Sequence, residues 1–412
     1  MRQFYSLLIG LFQQISPLLK LLNPKLKLFF EGRKNLFDKL KNDFAENSGC
    51  IWIHAASLGE YEQAVPIIEK LKIEYPNYKI LVTFFSPSGY EVKKNNSIAD
   101  VVSYLPLDTS KNAQKFLEIV QPKIAIFVKY EVWPNFMLQS KKYKIPSILV
   151  SGVFRENQLF FKPYGKFMRK ALQSFDHLFV QDKNSKKLLI ENGFQKVSLS
   201  GDTRFDRVTQ QLNYNNELDF LAEFKQDKKC MICGSTWPED EKILAEYINS
   251  TSEDIKFIIA PHQIHKDKIQ SLQQSLKKPS ILYSERINQS LSSYQVFILD
   301  TIGLLSKAYS YAEIAYVGGA MGKTGLHNIL EPATFGIPII IGKNFKKFPE
   351  ASQLQQEKGL FSIASYSELK KIIDELINNE SHRIQAGKNA KNFIVKRIGA
   401  TEKIMSYIRQ KI

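Results

Sequence analysis

Residues 315–338 read AYVGGAMGKTGLHNILEPATFGIP: a short apolar run, a glycine pair, then the opening of a helix. A P-loop needs Gly, four residues, then Gly-Lys-Ser/Thr. Counting back from Gly322-Lys323-Thr324, that first position holds Val317, and Gly318 comes one residue late. Lys323 and Thr324 are therefore loop residues and not a triphosphate clamp. What stays is a strand followed by Gly318-Gly319, where backbone can approach a ligand closely. Asn328-x-x-Glu331 then begins a helix, whose first amides and dipole favour a phosphate. That spacing is also a capping box. Glu331 has a second reading, as an acceptor for ribose hydroxyls, the use dinucleotide folds make of acidic residues.

The same pattern recurs along the chain. "CIWIHAA", "KILVTFF", "VVSYLP", "KIAIFVKY", "SILVSG", "HLFVQD" and "VSLSGD" read as strands, with helical stretches such as "YEQAVPIIEKLK" and "KNSKKLLIENG" between several of them. Residues 207–228 are polar and hold no strand candidate. A second series then begins with "CMICGST", "IKFIIAP", "VFILDT", "EIAYVGGA" and "IPIIIG". Near-continuous apolar strands alternating with helices argue for covered, mainly parallel sheets. The expectation is an α/β protein of two doubly wound, Rossmann-like domains facing a central cleft, with a helical tail from about residue 366. Ligands in such sheets bind beyond the carboxyl ends of the strands, so two such domains suit group transfer from a nucleotide carrier to a second molecule.

The totals agree. A chain of 412 residues, 44% hydrophobic and 24% charged, has the make-up of an ordinary globular protein long enough for two cores. Cys50, Cys230 and Cys233 make no disulfide framework and suggest a reducing compartment. Cys230 and Cys233 sit in a strand, where an offset of three puts the thiols on opposite faces, so they are read as core. The net charge of +16 draws a chain to anionic partners, but no zinc-finger spacing or RNP aromatic motif accompanies it, so nucleic acid is not expected.

The charge gathers at the amino terminus. Phe4 to Phe12 is apolar apart from Ser6 and Gly10, and Pro17 and Lys20 interrupt the residues after it. This falls short of the ~20 apolar residues of a spanning helix, and there is no small-residue cleavage site behind it. With Arg2, Lys20, Lys25, Lys27, Arg33, Lys34, Lys39 and Lys41 facing only Glu31 and Asp38, the segment suits lying on an anionic leaflet. The other readings are a helix packed on the protein's own body or a single short spanning helix.

Four more stretches carry candidate chemistry. In "IHAASLGEYEQAV", Glu60 opens a helix just past a strand, placed to take a proton from an acceptor hydroxyl. Ser57-x-x-Glu60 is also a capping box. "VKYEVWPNFM" sets Glu131 two residues before Trp133-Pro134, either a polar ligand contact or turn chemistry. "SGDTRFDRV" places Arg204 to meet charge on a leaving phosphate, or to pair with Asp202 or Asp206. "CGSTWPEDE" offers Ser235 and Thr236 to a phosphate at a strand-to-helix turn, and Gly318 and Gly319 are further possible phosphate contacts. His262 and His265 lack the third ligand of a zinc site, and no metal is expected.

Together "HAASLGE", "EVWPN", "GDTRFD" and "VGGAMGKTGLHNILEPATFGIPIIIG" resemble, from about residue 30 to 390, the 3-deoxy-D-manno-octulosonic acid (Kdo) transferases of Gram-negative bacteria. The resemblance implies a GT-B fold and transfer of Kdo from CMP-Kdo to the lipid A precursor lipid IVA, with inversion, at the cytoplasmic face of the inner membrane. It implies no metal or other cofactor. Glu60 matches the family's general base, acting on the 6′-hydroxyl of a glucosamine, and Glu131 and Arg204 match its transition-state stabilisers. CMP would be met by His262 and Gln263, by Ile302, Gly303 and Leu304, and by Asn328, Ile329, Leu330 and Glu331. Two departures stand out: Pro261-His262-Gln263 where the family commonly has Pro-Arg-His, and Arg204 where it has Lys, which keeps charge but changes geometry. The expected division is a membrane-associating segment (1–30), an acceptor domain (31–206), a linker (207–228) and a CMP-Kdo domain (229–412).

Overall fold

The apolar β-branched runs form the strands of two parallel sheets, each buried on both faces. The structure is a computed structural model and describes residues 2–14, 23–45 and 49–412. Residues 15–22, with Pro17 and Lys20 of the expected membrane segment, lie outside the described residues, as do the side chains of Arg2, Phe4 and Phe12. The chain divides into two compact units, Met1–Arg207 with Ile398–Ile412, and Val208–Arg397.

The first unit holds β1 (Cys50–His54), β2 (Lys79–Phe84), β3 (Val101–Tyr104), β4 (Pro122–Val128), β5 (Ser147–Gly152), β6 (His177–Val180) and β7 (Val197–Leu199). Their order across the sheet is β3-β2-β1-β4-β5-β6-β7. The direction of winding reverses between β1 and β4, the topological switch point beside which such sheets bind ligands. Alternation fixes the two faces. Trp52, Leu81, Phe127 and Leu149 point into one core. Ile51, Ile53, Val82, Ile126 and Val150 point into the other, against Ala64, Ile67, Ile68 and Leu71 of the helix Leu58–Glu74. Each fully buried Ile or Leu contributes about 1.5–3 kcal/mol.

The second unit holds β8 (Lys229–Thr236), β9 (Ile255–Pro261), β10 (Ser280–Leu282), β11 (Val296–Ile298), β12 (Ile314–Val317), β13 (Ile339–Gly342) and β14 (Leu360–Ile363), in the order β10-β11-β9-β8-β12-β13-β14. Here the switch point lies between β8 and β12. The strands β10 and β14, three and four residues long, are too short to stand out by pattern. Cys230 and Cys233 are buried and unbridged in β8, and burial pushes both thiols up.

Two boundaries differ from the expected ones. The helix Ala400–Ile408 belongs to the first unit, not the second. Its Ile404, Met405 and Ile408 join the core of the first sheet, and the Asp206 carboxylate accepts from the Gly399 amide at 2.6 Å and the Thr401 amide at 2.7 Å. Such long-range packing leaves no local signal. The expected linker is also structured, with the helix Asp219–Lys225 burying Leu221 and Phe224.

The helix Arg2–Gln14 has thirteen residues, about 20 Å at 1.5 Å each, against a hydrocarbon core of about 30 Å. Among the described residues no helix is long and apolar enough to cross a membrane. One side packs on the first unit: the Tyr5 ring lies 5.6 Å from Phe167 and Asn135 donates to Ser6 at 3.3 Å. The other side leaves Leu7 68% and Leu11 54% exposed.

Candidate active site

At the switch point of the first sheet, β1 runs into the turn 55–57 and β4 into residues 129–133. Glu60 sits in the first turn of the helix Leu58–Glu74, only 6% exposed. The Ser57 amide donates to its Oε2 at 3.0 Å, so the capping contact forms. It occupies one oxygen and leaves the carboxyl in a poorly solvated place. Burial first, then the like charge of Glu131, push the Glu60 pKa above its usual 4.5, while Lys129 and the Ser57 amide pull it back. That is the direction a general base near neutral pH requires.

Glu131 is held beside it. The Trp133 indole N–H points between His54 Nε2 at 3.0 Å and Glu131 Oε2 at 3.1 Å, and His54 Nε2 lies 3.7 Å from the same oxygen. Lys129 has φ 64°, a left-handed conformation costing about 1 kcal/mol or more in a residue with a Cβ. The Val150 carbonyl holds its amide at 2.8 Å. Sequence reasoning missed His54, Thr83 and Lys129 here. The signal for Lys129 is conformational and has no residue pattern. Arg204 follows Thr203, whose Oγ1 donates at 2.7 Å to the Gln63 carbonyl in the helix that carries Glu60, and it makes the ion pair weighed against its catalytic reading. Its Nη2 is 2.7 Å from Asp202 Oδ2, with the Arg204 side chain 38% exposed.

In the second unit Ser235, Gly303, Leu305, Ser306, Tyr309, Asn328 and Glu331 line one cavity of about 190 Å³. Separate stretches of sequence thus converge. Ser235 adopts φ 54° and Gly303 φ 94° to do so. Glu331 does not fold back as a cap. Its Oε2 accepts from Ser306 Oγ at 2.8 Å and its Oε1 from Asn328 Nδ2 at 2.9 Å. The helix it was expected to open at Asn328 spans only Leu330–Thr334, and the Leu330 amide is taken by Asn328 Oδ1 at 3.1 Å. Ile329 is buried beside Leu330.

The glycine pair has a different use from the one expected. The Gly318 amide donates to the Gly234 carbonyl at 2.9 Å and the Gly319 amide to Asp240 Oδ2 at 2.8 Å, so neither is spare for a phosphate. A Cβ on Gly318 would stand 2.4 Å from the Ser235 carbonyl oxygen, and Gly319 has φ 95°. The glycines therefore let the loop after β12 close over the turn after β8. Thr236 Oγ1 is likewise engaged, donating to Glu241 at 3.0 Å.

Asp240, which sequence reasoning missed, gathers these turns. Wholly buried, it also accepts from the Trp237 amide at 3.0 Å and the Tyr316 hydroxyl at 2.7 Å. His262 stacks on Trp237 with ring centroids 4.8 Å apart and lies 4.4 Å from His327, next to Asn328 in sequence. The Trp237 indole donates to His327 Nε2 at 2.9 Å. Burial, then the neighbouring His262, lower the His327 pKa to about 4. Gln263 is bonded by Lys268, Ile302 is almost fully exposed, and Leu304 caps the short helix Leu305–Ala308. Among the described residues no three His, Cys, Asp or Glu side chains form a group able to hold a metal ion.

Residues 30–207 match the family described as "3-Deoxy-D-manno-octulosonic-acid transferase (kdotransferase)". Over 389 residues the chain is 30% identical to the 3-deoxy-D-manno-octulosonic acid transferase of Haemophilus influenzae, covering 89% of each sequence. The chain belongs to the Kdo transferase family. A second relative of that description, from Aquifex aeolicus, is 28% identical over 83% of this chain and 91% of its own length. The UDP-GlcNAc 2-epimerase of Neisseria meningitidis superposes on 88% of this chain and all of its own, with TM-score 0.62 at 15% identity. That likeness shows the GT-B architecture and does not choose between nucleotide donors.

Proposed function

We propose that this Kdo transferase moves Kdo from CMP-Kdo onto a hydroxyl of lipid IVA, with inversion, in lipopolysaccharide core biosynthesis. The first unit would bind the acceptor and the second the CMP-Kdo donor. Glu60 takes the proton of the acceptor hydroxyl. The freed oxygen attacks the anomeric carbon of Kdo as the bond to the phosphate oxygen breaks, and CMP departs with the electron pair. Glu131 and Arg204 stabilise charge as it shifts, Arg204 by turning from Asp202 toward the leaving phosphate.

The observation that carries this reading is Glu60 itself: a buried carboxyl at a switch point, pushed up in pKa by burial and by a second carboxylate. In the second unit the cavity is smaller than the ~300 Å³ at which sites for drug-sized ligands begin. It suits the ribose of CMP, with Glu331 and Ser235 at its hydroxyls. His262 and the turn Ile302–Leu304 would lie along the rest of the nucleotide. The exposed Leu7 and Leu11 with the basic residues that follow support peripheral contact with the anionic cytoplasmic face of the inner membrane.

Incubation with lipid IVA and freshly made CMP-Kdo, read by mass, tests donor and acceptor together. A shift of one or more Kdo units is expected. No shift, or tighter calorimetric binding of UDP than of CMP, overturns the reading. A chain lacking residues 1–25 is expected to sediment less with anionic vesicles, and equal sedimentation would remove the amino terminus as the anchor.

A further inference from the structure

The environment of Glu131 is built more carefully than a turn needs. Its partner Trp133 donates one N–H to two acceptors, Glu131 Oε2 and His54 Nε2. A ring nitrogen that accepts carries no proton, so the ring proton of His54 is on Nδ1. That nitrogen faces Thr83 Oγ1 at 2.9 Å. The same oxygen accepts the Trp52 indole N–H at 2.8 Å, and its own hydrogen points to the Ile53 carbonyl at 3.4 Å. Every donor in the chain Trp52, Thr83, His54, Trp133, Glu131 therefore has an acceptor.

The chain is anchored in the sheet. His54 and Thr83 are wholly buried and stand opposite each other in the β1–β2 register. The Trp133 ring leans on Phe85 with centroids 4.6 Å apart. A packing role would be met as well by phenylalanine at 133 and an aliphatic residue at 54. Buried polar groups raise the stakes of a fold and serve when they fix a geometry.

We propose that Thr83, His54 and Trp133 are positioning residues that fix the Glu131 carboxylate for sugar transfer, with His54 accepting a hydrogen bond at Nε2. The inference rests on the role given to Glu131 above. The charged groups around the pair are Glu131 and Lys129, in the turn after β4, and Glu60, in the first turn of the helix after β1. His54 moves no proton to or from the substrates.

The test uses the full chain with CMP-Kdo and lipid IVA, following initial rates by product mass. Trp133→Phe keeps the ring on Phe85 and deletes the N–H. It is expected to lower kcat about tenfold or more while KM for CMP-Kdo stays within about twofold. His54→Gln retains a neutral acceptor and a donor, and is expected to keep roughly half the wild-type kcat, whereas His54→Leu falls with Trp133→Phe. Thr83→Ser is expected to match wild type and Thr83→Val to fall, which covers the case of a His54 variant that does not fold. Wild-type kcat in Trp133→Phe, or a His54→Gln variant as slow as His54→Leu, overturns the proposal. The second result would make His54 a proton carrier. A wild-type protein giving no product defeats the assigned activity itself, and this inference with it.

Discussion

Glu60 and Asp240 occupy the same place in two copies of one architecture. Each is the third residue of the helix after the first strand of its sheet, and each accepts the amide three residues before it at 3.0 Å, from Ser57 and from Trp237. Beyond that they part. Asp240 also takes the Gly319 amide and the Tyr316 hydroxyl and is wholly buried. Glu60 has the one backbone donor and faces a second carboxylate. Position in the fold thus supplies a carboxylate at both switch points, each pushed up in pKa by burial, but donors from distant loops tie Asp240 into the fold while Glu60 faces a second carboxylate. Hydrogen bonds to the charged form offset part of that rise at Asp240, whereas at Glu60 the like charge of Glu131 adds to it.

The sharpest way to break this contrast is Glu60→Gln. The Ser57 amide finds an amide oxygen in the same place, so the melting temperature is expected to stay within about two degrees, while kcat falls on the order of 10³-fold. A variant that loses stability and activity together would make Glu60 a cap like its counterpart. Asp240→Asn is the reciprocal change. One oxygen must then serve donors that had two, at a cost of about 1.5–3 kcal/mol, several degrees by calorimetry. CMP binding measured well below the transition should survive. An unchanged transition would show that Asp240 does not hold the turns.

A finer comparison uses pH. A base whose pKa is raised gives a rate that climbs as pH rises through that raised value. The acid limb of kcat/KM should therefore lie above the usual carboxylate range. Glu131→Gln removes the like charge that helps raise it, so the limb should move to lower pH in whatever rate remains. Movement to higher pH would mean that the limb belongs to another group.

These particulars also show how much was legible in the sequence. Two parallel sheets and twelve of their strands were readable, because burial on both faces writes continuous apolar runs, whereas Gly303 and Asn328 were marked for the nucleotide by family resemblance and only the fold brings them to one cavity with Ser235 and Glu331. Capping spacing was readable as well, but it could not say which carboxylate would be saturated: Ser57-x-x-Glu60 forms its cap, whereas Asn328-x-x-Glu331 turns its Glu to a cavity. Asp240 escaped notice because two of its donors, Gly319 and Tyr316, are some eighty residues away, and residue spacing along a chain carries no record of such contacts. The return of Ala400–Ile408 to the first unit was hidden for the same reason.

The second pair of matching features gives the smallest expected effect. Trp133-Pro134 and Trp237-Pro238 both open helices, and each indole donates to a histidine Nε2, His54 at 3.0 Å and His327 at 2.9 Å. In the first unit the N–H is shared with a carboxylate, and in the second the histidine neighbours His262 instead. With its pKa lowered to about 4, His327 is neutral when folded, and in the unfolded chain it titrates near 6.5. Its contribution to stability is therefore complete above about pH 6.5 and lost as pH falls toward about 4, where the unfolded state binds the extra proton. Trp237→Phe removes the donor that competes with that proton, so the His327 titration, followed by NMR, should move upward and CMP affinity should change by less than about tenfold. A His327 that titrates unchanged would mean that burial and His262 alone keep it neutral, and that the two Trp–Pro turns share a shape without sharing a task.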